Sequence, residues 1–427
     1  MLNLYKYSLK DSDIYKKYYF YRRRMETNDQ IFMKMLDSMQ NPYPLYRELR
    51  DNMPIIYSQN MASYFVSRYD TCHSILSSSK FGHLQNDKEP VAPIHDKYMQ
   101  DYSGKHPKMK QKSILSLNPP DHTRIRNLVS KAFTPRSIEQ LKPFISELSE
   151  RLLNTGGRRE IDLITEFAAP LPAYVIAKLM GVPDKDMPKF KELSDEFAKL
   201  LNPFSSDDEI YSGYVAKGEL GKYFNELIAL RKKDPTDDML SRIVHDIENG
   251  YSITEEELLT MLSLLLVAGH ETTTNLIGNG FYALLRNRDQ MEMLQNDRSL
   301  LKNAIEEMLR YDSPVQMVVR TPMAEDAIIE GETVKKDQFV ACVIGSANHD
   351  ESVFRDPEKF DITRKEIKHL SFSEGIHFCL GAPLARVEGA IAFDKLLDSF
   401  GDCRLLETPK YRSNFNMRGL EHLRMSF

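Results

Sequence analysis

The chain has 427 residues, of which 41% are hydrophobic and 28% are charged, a balance typical of soluble globular proteins and not of disordered ones. Its net charge of −5 at pH 7 gives no electrostatic reason to expect nucleic acid as a partner. The four cysteines form no CxxC pair and have no zinc-like spacing, so we expect free thiols and a cytoplasmic location.

The N-terminus mixes tyrosine, lysine and arginine and lacks the apolar core and cleavage site of a secretory signal. We expect residues 1–24 to form a flexible tail and residues 25–427 to form one domain. The longest apolar run, residues 261–269, is too short to cross a bilayer as a helix. The sequence therefore predicts no membrane anchor.

Patterns along the chain indicate a mainly α-helical protein with a small β component. Residues 63–70 and 338–345 have the aromatic and β-branched content of strands. Residues 82–117 are polar and weakly periodic, as in long loops that are functional or mobile. Helical patterns dominate from Pro120 onward, and two charged amphipathic segments lie on either side of an interruption at residues 202–208.

The longest helical candidate spans residues 254–287. Thr254 and Glu257 have the spacing of a capping box, and the interior is apolar on nearly all sides. We therefore expect this helix to run through the core. Glu271 and Thr272 interrupt the apolar interior, and buried polar groups need either partners or a function.

One cysteine, Cys379, lies in a specific setting ahead of a further helical segment. The spacing Phe-x-x-Gly-x-His-x-Cys-x-Gly, which starts at Phe372, should arise by chance in roughly one chain in ten thousand. A packed thiol would leave the rest of this pattern unexplained. Two interpretations stay open from the residues alone: a thiolate ligand of a soft metal or of haem iron, or a nucleophile with His377 as its base.

The pattern resembles the haem-binding loop of the cytochrome P450 family, the haem-thiolate monooxygenases. The resemblance implies that Cys379 is the metal ligand of haem b (iron protoporphyrin IX) and that Phe372, His377 and Gly381 contact the cofactor. An anionic sulfur at a helix N-terminus is also favoured by the helix dipole and the free N–H groups. The implied fold is a mainly helical prism with a small sheet, with haem between the long central helix and the helix after Cys379.

Two further segments match the same family. Glu307 and Arg310, three residues apart, resemble its structural Glu–Arg pair. The arginine that often completes this network is replaced by Lys359, which keeps the charge but not the planar fork, so the third member stays unassigned. Residues 268–273 resemble the oxygen-activation motif.

That motif implies roles for three side chains of the long helix. Ala268 would contact the cofactor, Glu271 would gate proton delivery, and Thr272 would supply a catalytic hydroxyl. His270 occupies the variable position, where it is either a satisfied helix histidine or a contact to ligand or water.

Haem carries two propionates, and a buried haem needs basic donors to offset their charge. His122 and Arg126 are four residues apart on a predicted helix, and Arg320 follows an apolar strand. With His377 they match the positions that bind propionates in the family. By family position the substrate pocket has five candidate lining residues: Val267, Met317, Val318, Phe415 and Met417.

The resemblance is closest to soluble bacterial members. It implies hydroxylation or epoxidation of a small apolar substrate, such as a polyketide, another secondary metabolite or a fatty-acid-like molecule. O2 would be the oxidant, and a ferredoxin or flavodoxin with its NAD(P)H-dependent reductase would supply electrons, docking near Lys131, Arg136 and Arg386. The alternative is a haem-thiolate protein with a non-oxygenating or ligand-binding role.

The cysteine loop departs from the family pattern at two positions. Ser373 stands where close relatives usually carry glycine, and serine adopts a positive φ only at an energetic cost. Glu374 adds negative charge near the expected docking face. We therefore expect a strained loop and an altered electrostatic surface for the electron donor.

Overall fold

The computed structural model describes residues 29–59, 61–84, 113–201 and 205–427. The tail predicted at residues 1–24 and most of the loop predicted at residues 82–117 lie outside the described residues.

Helices make up most of the described chain, and their apolar faces build one large core. They are, in chain order, α1 (Gln30–Asp37), α2 (Tyr43–Asn52), α3 (Tyr69–Ser77), α4 (Asp121–Ser130), α5 (Pro135–Leu153), α6 (Pro170–Met180), α7 (Met187–Ala198), α8 (Asp207–Lys233), α9 (Met239–Glu248), α10 (Glu255–Arg286), α11 (Arg288–Asn296), α12 (Leu301–Tyr311), α13 (Ile344–Ala347) and α14 (Ala382–Phe400). The mainly helical fold expected from the sequence is confirmed.

Short strands form the small β component. They are β1 (Ile55–Ser58), β2 (Ser63–Val66), β3 (Phe81–Gly82), β4 (Glu160–Asp162), β5 (Met317–Pro322), β6 (Ala327–Ile329), β7 (Glu332–Val334), β8 (Phe339–Val343), β9 (Arg404–Leu405) and β10 (Arg424–Ser426). The largest sheet has the order β1-β2-β8-β5-β3, in which only β2 and β8 are parallel. A second sheet has the order β4-β10-β9, and β6 pairs with β7.

Helix α10 is the central element, as its all-round apolar pattern predicts. The Thr254 side chain accepts a hydrogen bond from the Glu257 backbone N–H, and the Glu257 carboxylate accepts one from the Thr254 N–H, so the predicted capping box is present. The helix packs against α6, α7, α8, α12 and α14. The second half of α10 packs against the middle of α14, where Gly280 lies close to Phe393 and Leu276 lies close to Gly389.

Local sequence signals explain where some of these helices and strands end. Helix α6 ends at Gly181, whose φ of +84° is the left-handed conformation that glycine tolerates. The strand expected at residues 63–70 is shorter than predicted, because α3 already begins at Tyr69. Among the described residues, no helix has the length and apolar character needed to cross a membrane.

Candidate functional site

Cys379 lies between a turn of 3₁₀ helix, Gly375–His377, and the first residue of α14. Its backbone N–H donates to the Phe372 carbonyl oxygen at 2.8 Å, which closes the loop. Burial raises the pKa of the Cys379 thiol, whereas the backbone N–H groups of Gly381 and Ala382 act in the opposite direction. A metal ion at the sulfur would supply the positive charge that makes the thiolate the stable form.

The two glycines of the loop serve different purposes. Gly375 has a φ of +67°, and a Cβ atom there would lie 2.6 Å from the Leu76 carbonyl oxygen, so only glycine fits. Gly381 has an ordinary φ of −82°, so its lack of a side chain is not needed for the turn. Ser373 has a φ of +60°, which is the strained conformation expected from the sequence, and its buried hydroxyl has no hydrogen-bond partner among the described residues.

The Glu306 carboxylate on α12 contacts residues on both sides of the cysteine loop, His369 before it and Arg386 after it. Both carboxylate oxygens of Glu306 accept hydrogen bonds from Arg386, at 2.7 and 2.8 Å, and one lies 3.1 Å from His369 Nε2. Burial alone would raise the pKa of the Glu306 carboxyl, but its partners Arg386 and His369 outweigh burial and hold the pKa at about 2. The Arg386 guanidinium in turn lies 4.6 Å over the ring of Phe372.

Three imidazole rings gather beside the cysteine loop. The ring centroid of His377 lies 4.3 Å from that of His122 and 4.8 Å from that of His83. Both ring nitrogens of His122, and Nε2 of His377, are buried without a hydrogen-bond partner in the described part of the chain. Burial, reinforced by neighbouring positive charge, lowers the pKa of His377 to about 2 and also lowers that of His122.

Two arginines predicted to bind propionates lie beside this cluster. Arg320 is 4% exposed and donates to the Val319 carbonyl at 2.9 Å, while Arg126 donates to the Phe378 carbonyl at 2.6 Å. Burial lowers the pKa of both guanidinium groups. No carboxylate among the residues described forms an ion pair with either arginine. Partly or fully buried cations without a protein counter-charge, next to orphaned imidazole nitrogens, fit the two propionates of haem b.

The middle of α10 presents a short open face within an otherwise buried helix. Ala268 is exposed, and Glu271 and Thr272 are half-buried, whereas Val267 and His270 are each only 2% exposed. The Thr272 hydroxyl donates to the Ala268 carbonyl at 2.7 Å. The structure thus brings both predicted catalytic residues to the face where Ala268 is accessible.

His270 lies on the other side of α10. Its Nδ1 is 3.1 Å from the Ser194 hydroxyl on α7, and its Nε2 is 3.5 Å from a carboxylate oxygen of Asp195. Burial lowers its pKa. The Ser194 contact satisfies Nδ1, but the buried Nε2 makes no hydrogen bond among the described residues, so both interpretations of His270 stay open.

The pocket candidates differ in placement. Met317 is buried in the same apolar cluster that Phe415 packs against, and Met417 is 8% exposed. Val318 packs against a second apolar cluster, which includes Val66, Val340 and Cys342. The neighbouring Val319, which the sequence did not indicate as a pocket residue, is 40% exposed. Alternation along β5 explains the last difference, because successive side chains point to opposite faces.

The structural pair predicted on α12 is fully buried. Arg310 donates to the two carboxylate oxygens of Glu307 at 2.7 and 2.8 Å, and neither side chain is exposed. The third member of the network is Arg364, whose Nε donates to Glu307 at 3.2 Å. Lys359 is exposed and contributes only its backbone carbonyl, which accepts from Arg310.

Two of the three candidate docking cations are already paired. Lys131 lies 2.7 Å from Asp246, and Arg386 is held by Glu306. Arg136 is exposed. The surface charge offered to an electron donor is therefore smaller than the sequence alone indicates.

Comparisons with known proteins agree with this geometry. A family model described as "Cytochrome P450" matches residues 83–402. The polyketide biosynthesis cytochrome P450 PksS of Bacillus subtilis is 37% identical over 399 residues, which are 90% of this chain and 96% of that protein. The biotin biosynthesis cytochrome P450 of the same organism is 37% identical over 394 residues, 91% of this chain and 97% of that protein.

Among solved structures, P450BioI in complex with acyl carrier protein ligated to hexadec-9Z-enoic acid superposes with a TM-score of 0.81. It is 36% identical, and the match covers 92% of this chain and 99% of that chain. The architecture is thus that of a known group of enzymes.

Proposed function

Because the chain belongs to the cytochrome P450 family, and is therefore a haem b monooxygenase, we propose that Cys379 is its iron ligand and that a long acyl or polyketide chain is its substrate. The observation that carries the ligand assignment is that two cations lie at the Cys379 loop: Arg126 donates to the Phe378 carbonyl, and the positive charge of Arg320 acts on His377.

The haem, when bound, supplies the oxygen chemistry, in which one atom of O2 enters the substrate and two electrons and two protons are consumed. The chain's own residues hold and protect it. The N–H groups of Gly381 and Ala382 stabilise negative charge on the Cys379 sulfur, and Arg126 and Arg320 would bind the propionates.

Proton delivery is assigned to α10. Glu271 has a carboxylate that can give a proton and take one back from solvent, and the Thr272 hydroxyl can accept one hydrogen bond while donating another. Their half-buried positions lie beside the exposed Ala268, whereas the neighbouring Val267 and His270 are buried.

The substrate class is supported by the relatives. One is named for polyketide biosynthesis, and a solved relative holds a fatty acid ligated to acyl carrier protein. The partly apolar surroundings, with Val319 exposed and Phe415 nearby in the apolar cluster, suit a chain of that kind. Electrons would come from a ferredoxin or flavodoxin with its NAD(P)H-dependent reductase.

The ligand assignment is tested by the difference spectrum of the reduced protein with carbon monoxide. We expect the Soret band of a thiolate-ligated haem, its loss in Cys379→Ser, and its retention in Cys403→Ala, which removes a buried thiol near Met425. A band that persists in Cys379→Ser would refute the assignment.

The substrate class is tested by titrating hexadec-9Z-enoic acid, free and as its acyl carrier protein thioester, and recording displacement of water from the iron and product formation with redox partners. A spectral shift without product would favour the ligand-binding role instead.

A further inference from the structure

The carboxylate assigned to proton delivery is held by an arginine from near the C-terminus. Arg412 pairs through Nη1 with Glu271, and through Nη2 it hydrogen-bonds to the Asn275 side chain, one turn further along α10. The Glu271 side chain is only 14% exposed. The Arg412 guanidinium therefore binds side chains from two consecutive turns of α10 at the proposed catalytic face.

The hairpin of residues 411–420 is shaped around this contact. A Cβ atom on Gly419 would lie 2.5 Å from Arg412 Nη2 and 1.9 Å from the Asn275 side-chain oxygen, distances at which it could not be accommodated. The Arg412 backbone N–H donates to the Gly419 carbonyl at 2.9 Å, and Tyr411 pairs with Leu420. Glycine at this position thus lets the guanidinium reach α10.

One of the three nitrogens of the Arg412 guanidinium lacks a hydrogen-bond acceptor in the described part of the chain. Arg412 Nε is buried and has no acceptor within the described residues, although both terminal nitrogens are engaged. A buried donor without an acceptor makes the contact less stable than one in which all three guanidinium nitrogens are paired.

The tip of the same hairpin leads to the proposed substrate pocket. The Asn414 side-chain oxygen accepts from the N–H groups of Asn416 and Met417, and Asn416 in turn receives hydrogen bonds from Gln316 and Met317. Phe415 lies between Asn414 and Asn416 in the chain. A molecule that contacts Phe415 at this tip can therefore displace Arg412, which lies three residues earlier in the hairpin and pairs with Glu271.

We propose that Arg412 is a positioning residue that orients the Glu271 carboxylate and couples occupation of the pocket at Phe415–Met417 to proton delivery. The inference rests on the proposed role of Glu271. With the pocket empty the ion pair stays closed, and displacement of the hairpin by substrate frees the carboxylate to exchange a proton with water.

The test uses the haem-loaded enzyme with hexadec-9Z-enoic acid and compares Arg412→Met with Glu271→Gln and with the double variant. Without the ion pair the Glu271 carboxylate is free even when the pocket is empty, so we expect NAD(P)H oxidation without fatty acid to rise on the order of tenfold in Arg412→Met and the fraction of NAD(P)H electrons recovered in product to fall. The double variant should be no worse than Glu271→Gln, because both changes act on one unit. Arg412→Lys should recover part of the loss.

Tyr411→Phe is the matched control. It removes a hydrogen bond to Asp312 from the same hairpin without touching Glu271, so it should lower stability and leave the coupling unchanged. A readout independent of turnover is amide hydrogen exchange at Arg412 and Asn414, which should increase when the fatty acid binds.

The outcomes separate the possible failures. Unchanged coupling in Arg412→Met, equal loss in Tyr411→Phe, or hairpin exchange that ignores the fatty acid would each overturn the proposal. If Glu271→Gln is fully coupled while Cys379→Ser still abolishes the Soret band, the inference fails and the haem-thiolate function stands.

Discussion

Ser373 shows what a single residue does to the cysteine loop. Its φ of +60° lies in the left-handed region, which costs a non-glycine residue about 1–2 kcal/mol. Its hydroxyl is buried and makes no hydrogen bond in the described part of the chain, so nothing visible offsets this cost. The strain is two residues before Gly375, whose own positive φ is required by the Leu76 carbonyl.

Ser373→Gly should therefore stabilise the protein. Glycine removes the strain but adds about 0.5–1 kcal/mol of unfolded-state entropy, so we expect a net gain of roughly 0.5–1 kcal/mol in the free energy of unfolding. Chemical denaturation of the haem-loaded protein measures it.

The neighbouring Ser371 provides the contrast. Its hydroxyl lies 2.7 Å from the Leu309 carbonyl and accepts from Asn348 at 2.9 Å, so Ser371→Ala should cost roughly 1–3 kcal/mol. A destabilised Ser373→Gly would show that the loop does not store strain at this serine.

At the level of elements, the buried charges of α12 tie that helix to the segment leading into the cysteine loop. Glu307 accepts from Arg310 on its own helix and from Arg364 on the following segment, and the Asp361 backbone N–H donates to the same carboxylate at 2.9 Å. Removing one partner of such a network leaves buried charge uncompensated, which is costly.

Arg364→Ala should lower the free energy of unfolding by roughly 2–3 kcal/mol, because it deprives Glu307 of a charged donor and removes one hydrogen bond to each of three backbone carbonyls. Lys359→Ala should change it by less than about 0.5 kcal/mol, since that side chain is exposed and only its carbonyl takes part. Urea denaturation of both variants gives the comparison, and an equal loss in Lys359→Ala would assign the third position to the lysine after all.

These elements also show how far sequence alone reaches. The capping box of α10 is local, so spacing and residue type predict it. The positive φ of Ser373 and the buried pair Glu307–Arg310 are also local, but the resemblance to the P450 family, and not the residues alone, singled them out. Arg364 and Arg412 reach their partners across 57 and 141 residues, and their flanking sequences carry no signal of it. Long-range contacts of this kind depend on how the helices pack.

For the whole molecule, charge around the haem site links the cofactor to stability. Arg320 is buried with one carbonyl acceptor, and near it lie Arg126, His122 and His377, with no carboxylate paired to either arginine among the residues that the structure describes. Positive groups held together without a counter-charge oppose folding. If the propionates bind here as proposed, they reverse this balance, so haem and protein fold stabilise each other.

This argument predicts that one substitution has opposite effects with and without haem. Arg320→Leu should leave the haem-free protein equally stable or more stable, because it replaces a buried cation by an apolar side chain. In the haem-loaded protein it should lower stability and speed haem loss to an acceptor protein, since truncating one partner of a buried charge pair costs about 2–5 kcal/mol. Thermal unfolding of both forms, with Arg364→Ala as the control expected to destabilise both, separates the two effects. If Arg320→Leu destabilises the two forms equally, Arg320 is a structural residue of β5 and the propionates are held elsewhere.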